Sequence, residues 1–319
     1  MTRTPGGGRD GHGEHSLRGR PTSRVRTKAA MEALLALEAV EAESAWTELP
    51  HGRLFHLAAG AGDPIVLLQG AGGGAANWYR LLRPLARART VYAPELPGFG
   101  LSDVVAPEAP LGLQVASVTV RWLDANLGDA PVDLLATSFG GLVALRLAQL
   151  IPERIRRIVL LNSAGLGRGL AIPVRIAGLP LISNAVRSPS RTGTAMLFRT
   201  LLTADRSQLT GAHQRAIIDY TWLSAREGAG AELARALDMF AGLRGQSEVL
   251  TAAELAAMHC PILLLWGDAD RFLPHRHGPR AAALLPNAFF RTLSGVGHSP
   301  NWETPGAVLN AIGDFLGLP

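Results

Sequence analysis

Apolar positions along the chain follow two rhythms. Short apolar runs occur at Pro64–Gln69, Thr90–Pro94, Val132–Leu135, Ile158–Leu161, Pro261–Trp266 and Ala288–Leu293, with the length of strands buried in a sheet. Apolar residues at helical spacing recur over Leu142–Ala148, 114–127 and Pro305–Leu316. The stretch 28–43 is built of strong helix formers, with Met31, Leu34, Leu35 and Leu37 clustered. Trp46–Leu57 reads as a hairpin turning at His51-Gly52. Strands alternating with helices predict an α/β protein with a mostly parallel central sheet flanked by helices on both faces. From Gly165 to about Gly245 the alternation breaks into helical patterns rich in Arg, with no clear strand. Leu197, Phe198, Leu201, Leu202, Ile217, Trp222 and Phe240 make this segment too apolar for a solvated loop.

Residues 1–27 lack any such rhythm. They are rich in Gly, Arg, Ser, Thr and Pro and are expected to form a disordered basic arm. The next apolar stretch carries Glu32, Glu38, Glu41 and Glu43, so it is not the apolar core of a secretory signal. A mitochondrial-type presequence stays open on composition, with Asp10 and Glu14 against it. The net charge of +5 is also local. Residues 1–28 hold seven basic and two acidic side chains, so the rest of the chain is balanced. The high pI therefore belongs to the arm, and no nucleic-acid partner is expected.

The 319 residues are 47% hydrophobic and 18% charged, the balance of a soluble globular protein. No apolar run is long enough to span a bilayer, so no integral membrane association is expected. The lone Cys260 precludes an intrachain disulfide, which fits a cytoplasmic location. Its place beside Pro261 and an apolar run suggests a buried structural thiol. The oligomeric state is left open.

Candidate chemistry centres on Ala136-Thr137-Ser138-Phe139-Gly140-Gly141, between a buried strand and a helix. So abrupt a reversal needs small neighbours, and it would leave the Ser138 hydroxyl at the tip, near a helix N-terminus that favours developing negative charge. A second small-residue loop, Gly70–Ala76, follows the Pro64–Gln69 strand. It lacks the Gly-Lys-Ser/Thr of a phosphate loop and fits a dinucleotide fingerprint poorly. Asp268 and Asp270 follow the Pro261–Trp266 strand, and His298 follows the last strand.

These segments resemble the α/β-hydrolase family. Ala136–Gly140 resembles its nucleophile elbow G-x-S-x-G, with Ala for the first Gly. Gln69–Gly73 is similar to its H-G-x-G-G loop, with Gln69 for His. Glu95–Asp103 resembles D-x-P-G-x-G-x-S-D, with Glu95 for Asp. Trp266–Pro274 resembles W-G-x-x-D-x-x-x-P, which selects Asp270 over Asp268, and Gly297–Glu303 resembles G-H-x-x-x-x-E. The order Ser138…Asp270…His298 is that of the family, and the likeness covers roughly residues 60–319.

The resemblance implies Ser138 as nucleophile, His298 as general base and acid, and Asp270 as the group orienting the imidazole. It implies an oxyanion hole from the backbone N–H groups of Ala71 and Phe139, with Gly72 and Trp302 as substrate-binding positions. It divides the chain into core segments 28–164 and 246–319, with a helical lid, 165–245, inserted after the sixth core strand. The expected activity is hydrolysis of a carboxylic ester or lactone through an acyl-enzyme, on a small-molecule acyl substrate, with no cofactor and no metal. Three alternatives stay open. They are carbon–carbon bond hydrolysis of a diketone, suggested by G-H-x-x-x-W-E at Gly297–Glu303, a cofactor-free perhydrolase, and a binding protein without turnover.

Overall fold

The computed structural model describes residues 23–50, 52–103, 110–177, 190–227, 241–242 and 244–318. Eight strands form one sheet: β1 (Glu43–Leu49), β2 (Gly52–Ala59), β3 (Pro64–Leu68), β4 (Thr90–Pro94), β5 (Val132–Thr137), β6 (Ile155–Leu161), β7 (Ile262–Gly267) and β8 (Ala288–Leu293). Their order is β1-β2-β4-β3-β5-β6-β7-β8. Only the contacts of β2, with β1 and with β4, are antiparallel. β3 through β8 run parallel, as unbroken apolar strands covered on both faces should.

Successive strand residues point to opposite faces, and the core follows that period of two. Leu134, Ile158, Leu160, Ile262 and Leu264 join one apolar layer with helices α3 (Leu111–Leu127) and α4 (Phe139–Leu150). Leu135, Val159, Leu161, Leu263 and Leu265 join the other, with α1 (Ser23–Ala36) and α2 (Tyr79–Ala86). The chain leaves β3 to build β4 on one side and returns to build β5 on the other. The loops after β3 and β5 therefore flank the point where the strand order reverses, where open α/β sheets bind ligands.

Between β6 and β7 lie α5 (Ile172–Ala177), α6 (Arg191–Leu197) with a π-helical turn at Phe198–Leu202, and α7 (Gly211–Glu227). This stretch is expected to lack strands, yet a two-residue ribbon pairs Ala241–Gly242 with Gly245–Gln246 at its end. Gln246 closes the insertion onto the body by accepting from Gly165 N at 2.9 Å. Phe240 lies outside the described residues, as do residues 1–22 of the expected arm. The remaining elements are α8 (Ala252–Ala256), α9 (His277–Ala282), α10 (Pro300–Glu303) and α11 (Pro305–Leu316). Among the described residues, no helix is long and apolar enough to cross a membrane.

Two boundaries depart from the sequence reading. The first helix begins at Ser23 and ends at Ala36, rather than running over 28–43. Its early start has tertiary causes: Thr27 is fully buried, Arg24 pairs with Asp103, and Arg24 and Arg53 both lie over the Trp46 ring. Residues 23–27 thus belong to the folded body. Its early stop frees Glu43 to open β1 opposite Ala58. In the hairpin, Gly52 already belongs to β2, paired with Leu49, rather than to the turn, and His51 lies outside the described residues.

Candidate active site

Ser138 stands between the last residue of β5 and the first of α4, at φ 52° and ψ −121°. Few side-chain-bearing residues adopt this region, and the cost is held by the surroundings. A Cβ on Gly140 would lie 2.2 Å from Leu68 O, and one on Gly141 would lie 2.2 Å from Ser163 Oγ. The start of α4 therefore crosses the ends of β3 and β6 too closely for any larger residue. That close crossing is the physical need behind the small residues after Ser138.

A chain of hydrogen bonds runs away from Ser138. Its Oγ lies 3.0 Å from His298 Nε2, and His298 Nδ1 lies 2.9 Å from Asp270 Oδ2. An ionised carboxylate only accepts, so Nδ1 carries the ring proton and Nε2 offers its lone pair to the hydroxyl. Asp270 is itself fixed on both oxygens. Oδ1 accepts from Phe272 N at 2.7 Å and Leu273 N at 2.9 Å, and Oδ2 accepts from Asn162 Nδ2 at 2.6 Å. Phe272 stacks on the imidazole at 4.6 Å, restricting its rotation. Asp268 instead stands exposed and accepts from Gly295 N at 2.7 Å, bracing the turn before His298. The structure thus brings Ser138, His298 and Asp270 together and leaves Asp268 outside.

The loop after β3 abuts the elbow. A Cβ on Gly70 would lie 3.1 Å from Ser138 Cβ, so the backbone of Gly70-Ala71 runs beside that of Ser138-Phe139. Ala71 is exposed, whereas Gly72 is buried at φ 76°. Gln69 fills the place where the related loop has His. With its amide oriented to satisfy both neighbours, it donates to Pro94 O at 2.9 Å and accepts from Leu96 N at 2.8 Å. Glu95 accepts from Ala75 N at 3.0 Å and from the Tyr220 hydroxyl at 2.7 Å, and its other oxygen accepts from Leu101 N. Burial pushes the Glu95 carboxyl up from its ordinary range, against the pull of these donors.

Trp302, a substrate-binding position by resemblance, is 4% exposed, with its indole N–H donating to Asn77 O at 2.9 Å. Asn301 donates to the same carbonyl at 3.0 Å. Both side chains lock the short helix carrying His298's neighbours onto the turn that ends the glycine loop. Glu303 accepts from Gly297 N at 3.1 Å and from Ala204 N and Asp205 N at 2.8 Å each. It ties the His298 loop to the insertion.

Sequence reasoning did not single out Asn162, Tyr220 or Phe272. Asn162 carries one local signal: a polar residue ending an apolar strand, found here at φ 46° and fully buried. Tyr220 carries none, being one aromatic residue in a helical segment. Cys260 is half-buried, and burial raises its thiol pKa, as a structural rather than a nucleophilic group requires.

A sequence model of the alpha/beta hydrolase fold matches residues 63–305. A 2-hydroxy-6-oxo-6-phenylhexa-2,4-dienoate hydrolase of Burkholderia cepacia is 30% identical over 266 residues, 81% of this chain and 89% of that protein. A 2-hydroxy-6-oxononadienedioate/2-hydroxy-6-oxononatrienedioate hydrolase of Comamonas testosteroni is 28% identical over 262 residues, 81% of this chain and 89% of that one. Among solved structures, a carboxylesterase of Bacillus subtilis superposes with a TM-score of 0.76 at 22% identity, covering 92% of this chain and 98% of that one.

Proposed function

Because this chain belongs to the α/β-hydrolase fold family, and is a hydrolase of that fold, we propose that it cleaves a carboxylic ester or lactone through an acyl-enzyme on Ser138. The observation that carries the reading is the continuous chain Ser138 Oγ–His298–Asp270, with the hydroxyl 3.0 Å from the imidazole. A serine hydroxyl is a weak nucleophile at neutral pH, and the adjacent base removes its proton as the bond to the carbonyl carbon forms. The carbonyl electron pair moves onto oxygen. The N–H groups of Ala71 and Phe139 stabilise it there, at the start of α4. His298 then returns the proton to the departing alkoxide, Asp270 holds the imidazolium, and water repeats the sequence on the acyl-enzyme. The inserted segment roofs this site and shapes the acyl pocket, since every residue of the chain above follows a strand's carboxyl end.

A second reading is hydrolysis of a carbon–carbon bond in a dienoic diketone. The Burkholderia and Comamonas relatives favour it, since both carry such hydrolase names. A fluorophosphonate label mapped by mass spectrometry tests the nucleophile, with the adduct expected on Ser138. A parallel panel of p-nitrophenyl esters and a 2-hydroxy-6-oxodienoate separates the two activities. Ester turnover lost in Ser138→Ala supports the first reading; turnover of the dienoate with inert esters replaces it with the second. Labelling at any other residue would overturn both.

A further inference from the structure

Tyr220 belongs to the inserted segment, yet it is wholly buried and its hydroxyl lies under the glycine loop. It donates to Glu95 Oε1 at 2.7 Å and accepts from Ala76 N at 3.3 Å. Glu95 Oε1 takes the preceding amide, Ala75 N, at 3.0 Å. Two successive buried amides at the end of the loop are thus satisfied by side chains from elsewhere in the fold, and leaving either unpaired is costly. The packing leaves no slack. A Cβ on Gly74 would sit 2.2 Å from the Tyr220 oxygen and 2.5 Å from Glu95 Oε1. Burial and the neighbouring Glu95 hold the phenol pKa far above its ordinary value, so the hydroxyl keeps its proton and its role as donor.

The helix carrying Tyr220 is fastened from the other side. Met31, Leu34 and Leu35 of α1 share one apolar layer with Ile217, Ile218 and Tyr220 of α7. The Arg26 guanidinium lies 5.7 Å from the centre of the Trp222 ring. Just past α1, Glu38 meets His213 of α7 at 3.4 Å and Arg80 of α2 at 3.2 Å. Arg80 in turn donates to Trp302 O at 2.7 Å, next to the His298 loop. All of α1 lies before the residues 63–305 that the family model matches.

We propose that Tyr220 is a positioning residue for the oxyanion loop, with α7 held fast by α1 as part of that loop's scaffold rather than as a freely swinging cover. The proposal rests on the reading of Ser138 as an acyl-transfer nucleophile. The loop's end at Ala75-Ala76 sets where Gly70-Ala71 lies beside Ser138, and so where the Ala71 N–H meets a developing oxyanion. Small displacements of such a donor are felt in the transition state far more than in substrate binding.

The test compares the full chain with Tyr220→Phe, normalised per active site by fluorophosphonate titration. Two quantities are read: kcat and KM on a p-nitrophenyl ester, and the Ki of a trifluoromethyl ketone. The ketone accepts Ser138 Oγ at its carbonyl carbon, its electron pair moves to oxygen, and the serine proton passes to His298, so the adduct carries the same oxyanion. We expect kcat per site to fall about 10-fold or more, less than the ~10²–10³ for losing a direct oxyanion donor. KM should stay within about two-fold, and Ki should rise by the same factor as kcat falls. A merely structural role would lower the melting temperature and the titratable fraction while leaving per-site kcat and Ki within about two-fold, and that result overturns the proposal. If Tyr220→Phe does not fold, Gly74→Ala, whose Cβ displaces the Tyr220 oxygen, is read by the same two quantities. A wild-type chain that takes no label at Ser138 overturns the functional reading and this proposal with it. An active, labelled wild type indifferent to Tyr220→Phe overturns this proposal alone.

Discussion

Asn162 donates to the same Asp270 oxygen that faces His298, at 2.6 Å on one side while the imidazole lies at 2.9 Å on the other. Its Nδ2 also reaches Gly297 O at 3.2 Å, next to His298. Asn162 therefore sets the height of the carboxylate and of the histidine loop together. Asn162→Ala should lower kcat about 10-fold with little change in KM, since a misplaced imidazole is felt in the transition state. Steady-state kinetics on a p-nitrophenyl ester check it. A KM effect alone would show that Asn162 serves substrate binding instead.

The two neighbouring acids should separate cleanly. Asp270→Asn places an amide opposite Nδ1 and favours the wrong imidazole tautomer, a change that costs about 10⁴-fold in a comparable site. Asp268 braces only the Gly295 amide at the surface, so Asp268→Asn should stay within a few-fold. The ranking of kcat/KM for the two variants is the measurement, and the reverse order would mean that Asp268 orients the base.

How far this site was legible from sequence depends on the range of the interactions. The elbow, the glycine loop and the turn at Asp270 are local, because steric demand on Gly140, Gly141 and Gly70 writes small residues into consecutive positions. The alternation of strands and helices is likewise written into short windows, and the parallel sheet followed from it. What failed to show is held by contacts distant in sequence. Tyr220 meets Glu95 across 125 positions and Asn162 meets Asp270 across 108, with no periodic signal at either end. The early start of α1 has the same origin, since Arg24 finds Asp103 and Trp46 only once the chain has folded. For Trp302 the local motif is shared between a binding role and a packing role, and the bond to Asn77 O that anchors it joins residues far apart in sequence.

A cluster at the opposite end of β5 should matter to stability and not to turnover. Asp133 is fully buried and accepts from Arg157 Nε at 3.0 Å, Arg89 Nη1 at 3.2 Å and Arg156 Nη2 at 3.3 Å. Arg89 and Arg157 also hold the carbonyls of Leu316 and Phe315 at the end of α11. Asp133→Ala strands three guanidinium groups around an uncharged site and should cost about 3–5 kcal/mol. Ser138 lies five residues farther along the strand, roughly 16 Å at ~3.3 Å per residue, so kcat/KM of the folded fraction should be unchanged. Urea denaturation and ester kinetics on the same sample decide it.

Acid sensitivity should come in part from His277. It is buried against Gly167 and Gly169, its Nδ1 has no hydrogen-bond partner among the described residues, and its pKa is lowered to about 4, first by desolvation and then by Arg276 and Arg280. The unfolded chain, with a histidine pKa near 6.5, therefore binds the proton more readily than the folded one. Stability from this group is fully present above about pH 6.5 and is lost as the pH falls toward 4. The shift corresponds to at most about 3 kcal/mol, and to about 1–2 once solvent screening near the surface is allowed for. His277→Gln should flatten the fall in unfolding free energy between pH 7 and pH 4.5. An equally steep fall in the variant would assign the acid sensitivity to other groups.

Truncation should divide the N-terminal region in two. Residues 1–22 contribute four arginines and two acidic side chains but none of the segments that build the site. Removing them should leave kcat/KM on a neutral ester within a few-fold, because Ser138, Asp270, His298 and the glycine loop are all supplied by later residues. Removing 1–36 takes away α1 as well, and with it the apolar contact to α7 and the pairing of Arg24 with Asp103. Thr27, Met31 and Leu34 are all buried, so this cut exposes a broad apolar face of the insertion helix to water. The longer truncation should lower the melting temperature and the fraction of chains that fluorophosphonate titrates, with kcat per titrated site reduced through Tyr220. Differential scanning fluorimetry and active-site titration on both truncations read this out. If the 1–36 deletion matched the 1–22 deletion in both measurements, α1 would be a passive appendage, and the insertion would hold its place over the glycine loop unaided.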